Sequence, residues 1–180
     1  MKEVAGFVGL GQPELDLIQS TRDLVLQHGE VLTAAVYDHF LEVPETRRFF
    51  VDENGHINNE RLTRRKQSLL RWLRGSIDFK IDQDYPIRLL ATGIVHSHPP
   101  SHRAHMGSIP SRFMIGSMSY LQTLLANIFY SEMKDPEEAH QASVAWNKML
   151  MVQLDILQAG YINETPTTET ESAPPMPESG

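Results

Sequence analysis

Histidine is the residue type whose placement in this 180-residue chain most clearly suggests chemistry. Four of the eight histidines, His96, His98, His102 and His105, fall within ten residues. A neutral imidazole is a common ligand for haem iron and for zinc. The group therefore has two functional interpretations, an iron ligand or a zinc site. It also has a structural one, because a histidine near a helix C-terminus is favoured by the helix dipole.

His96 is the best placed of the four to hold a haem iron. It follows the apolar run Leu89–Val95, so a helix ending there would present one nitrogen ligand from an apolar wall. The second ring nitrogen would need an acceptor, and carbonyl groups of the last helical turn are candidates. The zinc interpretation instead combines two pairs of histidines. His96 and His98 form one pair, and His102 and His105, after the two prolines, form the other.

Tyr37 is a second candidate, because it lies inside the apolar helical pattern between Val36 and Phe40. A buried tyrosine needs a hydrogen-bond partner for its hydroxyl group. In a haem pocket that partner could be bound dioxygen, whereas in most proteins it is a backbone carbonyl. Both alternatives remain open from the sequence.

The basic residues are concentrated between Arg61 and Arg74. Such a run could bind phosphate or haem propionates, but it is more typical of the solvated face of an amphipathic helix. The carboxylates show no pairing that suggests acid–base catalysis, and the chain has no G-x-S-x-G, P-loop or Rossmann motif. We therefore do not expect an enzyme.

Length and charge restrict the class of protein further. A chain of this length suits one domain with a buried core. The net charge of −7 and pI of about 5.6 argue against a nucleic-acid-binding protein. The N-terminus does not resemble a signal peptide, and no apolar stretch is long enough for a membrane span. These features lead us to expect a cytoplasmic protein, and the absence of cysteine is compatible with that.

The elements expected to position these side chains are all helices, and the predicted fold class is all-α. One helix is expected from Pro13 to the stop at Gly29, and a second carries Tyr37. A long amphipathic helix carries the arginines, and another runs from about Tyr85 to His98, before two prolines. The last two helices run from about Pro110 to Glu132 and onward from an Asp135 cap. Residues 163–180 are rich in Thr, Glu, Pro and Ser and predict a disordered tail after a domain of residues 1–162.

Five segments, in this order, resemble the globin domain of globin-coupled sensors and protoglobins. The similarity covers roughly residues 10 to 160. The segments are Val36-Tyr37-Asp38-His39-Phe40-Leu41 with Pro44-Glu45, then Phe49-Phe50, Trp72-Leu73-Arg74-Gly75-Ser76-Ile77-Asp78, Thr92-Gly93-Ile94-Val95-His96, and Ile109-Pro110-Ser111-Arg112-Phe113-Met114.

The resemblance implies a globin-like helical sandwich with an extra N-terminal segment. It implies haem b as the cofactor, His96 as the proximal iron ligand, Tyr37 as the distal residue and a diatomic gas (O₂, CO or NO) as the ligand. It also implies a homodimer formed through the last two helices and a possible signalling partner protein. The remaining haem contacts that it implies are Phe50, Leu69, Trp72, Leu73 and Phe113.

The chain departs from the family pattern after the proximal histidine. The segment Ser97–Ser108, with two prolines and three more histidines, precedes the next helix. His105, followed by Gly107 and Ile109, is therefore an alternative iron ligand. We prefer His96, because the apolar helix leads directly to it. A second hypothesis is a haem-free globin-fold interaction module in a signalling pathway, since some relatives of this fold lack haem.

Overall fold

A computed structural model describes residues 1–52, 54–78 and 84–162, without the side chains of residues 102–104. Helices dominate these ranges, and within them only an isolated antiparallel bridge, Val51 with Ile57, has extended pairing. The predicted all-α class is therefore confirmed. The helices are α1 (Lys2–Val8), α2 (Gln12–Ser20), α3 (Arg22–Gln27), α4 (Gly29–Glu42), α5 (Pro44–Arg47), α6 (Asn59–Ile77), α7 (Tyr85–Ser97), α8 (Ser111–Glu132) and α9 (Pro136–Ala159).

The predicted helix from Pro13 to Gly29 is wrong in one respect, because it is broken at Thr21 between α2 and α3. The Thr21 side chain is buried, and its Oγ1 donates to the Ile18 carbonyl at 2.8 Å. The same oxygen accepts a hydrogen bond from the indole Nε1 of Trp146 at 2.9 Å. Helical periodicity could not reveal this partner, because Trp146 lies 125 residues further along the chain.

The predicted boundaries of the last two helices agree with those of α8 and α9 to within a residue or two at most of their ends. Asp135 caps α9 as expected, with its side chain accepting from the backbone N–H of Glu137. The helix α9 forms the centre of the core: it packs against α8, α7, α2 and α1. Its fully buried side chains include Trp146, Met149 and Leu150.

A smaller aromatic cluster, Tyr37, Phe49 and Phe50, lies apart from the main core. Partly buried apolar side chains pack around it, from α4, from α6 and from the segment that precedes α8. Leu69 of α6 belongs to the surroundings of both this cluster and the main core. We call the three residues the aromatic cluster below.

Within the described ranges, no helix has both the length and the apolar character needed to cross a membrane. The predicted tail, residues 163–180, lies outside the described residues.

Candidate haem and ligand site

His96 lies in the last turn of α7 and is half-buried. One stripe of this helix, which includes Gly93 and Ser97, is buried against α9, where Ser97 Oγ donates to the Gly160 carbonyl at 2.7 Å. Residues four and seven positions apart share a helix face, so His96 lies on the side of α7 that also carries Tyr85 and Leu89.

Tyr85 shows which element that side of α7 faces. Its hydroxyl lies 2.9 Å from Ser76 Oγ on α6, and its ring packs beside Gly75. Burial raises the pKa of Tyr85 to about 12, and the hydrogen bond to Ser76 and the charge of Arg88 partly offset that rise. His96 therefore lies on the side of α7 that is turned toward α6.

The arrangement of α6 and α7 has the donor set and the open side that a haem needs. The helix α7 packs closely against α9 but only sparsely against α6. On the α6-facing side of α7, Thr92 is exposed and His96 is only half-buried. On α6, Leu69 and Trp72 are large apolar side chains that also remain partly exposed. One imidazole and an incompletely covered apolar wall fit a porphyrin with a single axial ligand.

Tyr37 is buried in the aromatic cluster, 9% exposed. Its ring meets those of Phe40 and Phe50 edge-on, with centroids 5.6 Å and 5.5 Å away. Its hydroxyl donates to the backbone carbonyl of Arg65 at 3.1 Å. Burial raises the pKa of Tyr37 to about 12, although the charge of Arg65 opposes the shift. The structure thus shows the carbonyl partner, and Tyr37 is a neutral hydrogen-bond donor.

The other predicted contact residues are distributed over three regions. Phe50 and Leu69 lie with Tyr37, whereas Leu73 is fully buried in the main core and Trp72 packs against that core. Phe113 instead lines a cleft of about 360 Å³ together with residues of α5 and Pro110. The structure therefore brings Tyr37, Phe50 and Leu69 together and places Phe113 in a separate surface cleft.

The histidines of the loop after α7 do not form a shared cluster in the described structure. His98 Nδ1 lies 2.8 Å from Ser97 Oγ, whereas exposed His105 lines a cleft with Arg48 and Arg61. Among the described residues, no three His, Cys, Asp or Glu side chains come together as metal ligands. The His102 side chain, part of the zinc hypothesis, lies outside them.

Sequence reasoning missed the contribution of the inserted segment 97–108 to this site. Residues 101–106 form a 3-10 helix, and the backbone N–H of Ile109 donates to the His96 carbonyl at 2.9 Å. Met106 and Ile109 then pack against the aromatic cluster. In the sequence, Met106 and Ile109 stand out only as apolar residues in or next to a polar segment. That pattern does not reveal what they contact.

Solved structures with the same architecture are globin domains. The globin domain of a globin-coupled sensor from Geobacter sulfurreducens superposes with a TM-score of 0.70 at 22% identity, over 90% of this chain and 97% of that one. The globin domain of E. coli DosC, in a ferric and a ferrous form, gives a TM-score of 0.66 at 16% identity. Each DosC comparison covers 88% of this chain and 97% of the other. The fold is therefore that of a globin domain.

The sequence itself identifies the family within that fold. Residues 1–167 match the sequence model of the Protoglobin family. Comparison with curated protein sequences gave no significant match. The chain belongs to the Protoglobin family.

Proposed function

We propose that this protein binds haem b through His96 and binds a diatomic gas (O₂, CO or NO) on the face of the haem nearer to Tyr37. The observation that carries the proposal is the position of His96, at the end of an apolar helix and on the side turned toward α6. The ferric and ferrous forms of the DosC globin domain, which has the same fold, support iron chemistry in this architecture.

Each of the predicted site residues would have its own role in haem and ligand binding. The His96 imidazole holds the iron, and its half-buried position limits competition from water. Leu69, Trp72 and Phe50 would provide apolar contacts. The other two predicted contacts are Leu73, which is buried in the main core, and Phe113, which lines a surface cleft. When bound, haem supplies an iron that coordinates O₂, CO or NO. Tyr37, protonated at neutral pH, donates its hydroxyl hydrogen bond either to Arg65 or to the ligand.

An absorption spectrum tests the assignment of His96. The purified protein, reconstituted with haemin, should show a Soret band that moves on reduction and on CO addition. His96→Ala should remove that band, whereas the matched variant His105→Ala should keep it, because His105 is an exposed residue outside the apolar helix α7. The reverse result would assign the iron to His105.

A haem-free interaction module is the second candidate, and two observations favour it. The Tyr37 hydroxyl already has a carbonyl partner, and Met106 and Ile109 close over the aromatic cluster. In this alternative the protein acts by contacting a signalling partner. A folded protein that shows no Soret band after incubation with haemin would support the module and contradict the haem proposal.

We also propose that the protein is a homodimer and that it acts as a sensor or ligand-binding domain and not as an enzyme. Large apolar side chains remain exposed on the last two helices: Ile115 and Tyr130 on α8 and Val144 on α9. Exposed apolar surface of this kind is typical of protein–protein contacts. A change of ligand state would be transmitted through that interface to a signalling partner.

A further inference from the structure

A cleft of about 650 Å³ opens beside the aromatic cluster, on the side where the turn after α5 meets the inserted segment. Two arginines, Arg48 and Arg61, face this cleft together with His105 of the insertion. The remaining lining residues are Val51, Asp52, Asn54 and Met106. This arrangement concentrates positive charge at one place in a protein whose net charge is −7.

The two arginines are held at the cleft without a carboxylate partner among the described residues. Arg61 Nη1 donates weakly to the carbonyl groups of Phe49 and Val51, at 3.4 Å and 3.3 Å. The Arg48 guanidinium lies 4.7 Å above the ring of Phe49. By contrast, Arg22 and Arg64 each form an ion pair, with Asp78 and Glu60.

Among the described lining residues, Asp52 is the acidic one, and one of its carboxylate oxygens is engaged by the local backbone. Its Oδ1 accepts hydrogen bonds from the backbone N–H groups of Asn54 and His56, both at 2.9 Å. These bonds hold the Asp52 carboxylate in the local turn, and the described contacts of Arg48 and Arg61 do not include it. A planar guanidinium with free N–H groups is well suited to bidentate binding of a phosphate or carboxylate group.

We propose that this cleft is an oxyanion-binding site, which takes a multiply charged phosphate or carboxylate group between Arg48 and Arg61, with His105 closing it from the insertion. Two sources have that chemistry: a free phosphate-type anion, or the two carboxylates of a porphyrin. Only the second source rests on the proposed function. Met106 lines the cleft and also packs against the aromatic cluster, so an occupied cleft would lie one side chain away from that cluster.

In the first experiment, calorimetry measures the binding of pyrophosphate to the haem-free full chain at low and at physiological salt. Arg48→Met should weaken pyrophosphate binding about tenfold, the loss expected for one charge-assisted pair. Its only described contact is with a ring, so this variant should fold. Arg61→Met should have a similar effect. Arg71→Met, on the exposed face of α6, is a control with the same change of charge. The affinity of this variant for pyrophosphate should stay within about twofold of that of the parent protein.

The second experiment separates the two sources. Iron-free protoporphyrin and its dimethyl ester are compared by quenching of tryptophan fluorescence, which does not depend on His96. If the porphyrin carboxylates occupy the cleft, the free acid should bind about tenfold more tightly than the ester, and Arg48→Met should remove that difference.

The outcomes are distinct. Loss of pyrophosphate binding in Arg48→Met assigns a free anion, and loss of the acid-over-ester preference assigns the porphyrin. If neither affinity responds to Arg48→Met, or if Arg71→Met has the same effect, the proposed site is wrong. A missing Soret band would contradict the haem proposal and leave the pyrophosphate result standing.

Discussion

Gly93 of α7 lies directly against the backbone of Leu157 on α9. A Cβ atom at Gly93 would stand 2.2 Å from the Leu157 carbonyl oxygen, and one at Gly160 would stand 2.5 Å from the backbone nitrogen of Ile94. Glycine at both positions therefore lets the two helices approach until their backbones touch. This close contact fixes the helix that carries His96 on the central helix of the core.

Gly93→Ala should destabilise the fold, because the clash is with backbone and no rotamer change can relieve it. We expect a loss of about 2 kcal/mol in the free energy of unfolding, within the range for overpacked sites. The matched control is Gly116→Ala in the middle of α8, where a Cβ meets nothing within 4 Å. That change should stabilise the helix by roughly 0.5–1 kcal/mol. Urea denaturation measures both, and equal stabilities would contradict the account of the contact.

Thr21→Val should remove the hydrogen bond that joins the α2–α3 break to Trp146. The substitution keeps the shape of the side chain but leaves the buried indole N–H without its acceptor, so we expect a loss of about 1–3 kcal/mol. Thr123→Val, where an exposed hydroxyl bonds only within its own helix, should change stability by less than about 0.5 kcal/mol. A Thr21→Val protein as stable as this control would show that the hydrogen bond does not stabilise the fold.

Tyr37→Phe should separate the two roles of the hydroxyl group. In the haem-free protein it removes the hydrogen bond to the Arg65 carbonyl and should cost about 1 kcal/mol. In the haem-loaded protein it should speed O₂ dissociation roughly tenfold, the effect of one lost hydrogen bond to the ligand. Stopped-flow measurements give the rate, with Tyr120→Phe on α8 as the control. An unchanged rate would mean that Tyr37 bonds only to the backbone.

Alkaline pH should destabilise the protein through Tyr37 and Tyr85, whose pKa values are both raised to about 12. Below pH 10 both states keep the phenolic protons, so this contribution does not vary with pH. Between pH 10 and 12 the unfolded chain loses its protons first, so stability falls as pH rises, by up to about 2–3 kcal/mol per tyrosine. Urea denaturation at pH 9 and pH 11 measures the fall. Tyr37→Phe should reduce it, and an equal fall in that variant would contradict the assignment.

Ile115→Asp and Val144→Asp should each shift the protein from dimer to monomer, because a charge would be buried in the proposed contact between the last two helices. Light scattering after size-exclusion chromatography measures the mass. Val31→Asp on α4 changes an even more exposed apolar residue outside those helices and should leave the dimer intact. A monomeric parent protein, or dissociation in all three variants, would argue against this interface.

Local sequence signals were enough to predict the fold class, most of the helices and the family. The spacing of apolar side chains, the prolines after α7 and the Asp135 cap predicted most of the helices, because helix formation depends on residues within one or two turns. The same run of residues placed His96 at the end of an apolar helix, and the ordered motifs indicated the family.

Tertiary packing decided the rest. It set the break at Thr21, the Arg65 carbonyl as the partner of Tyr37, and the contact of Met106 and Ile109 with the aromatic cluster. In each case the two partners come from different helices or from an insertion, and their meeting depends on how whole helices pack. The periodicity of a single segment does not encode which residues of another segment it will contact, so only the assembled fold could reveal these contacts.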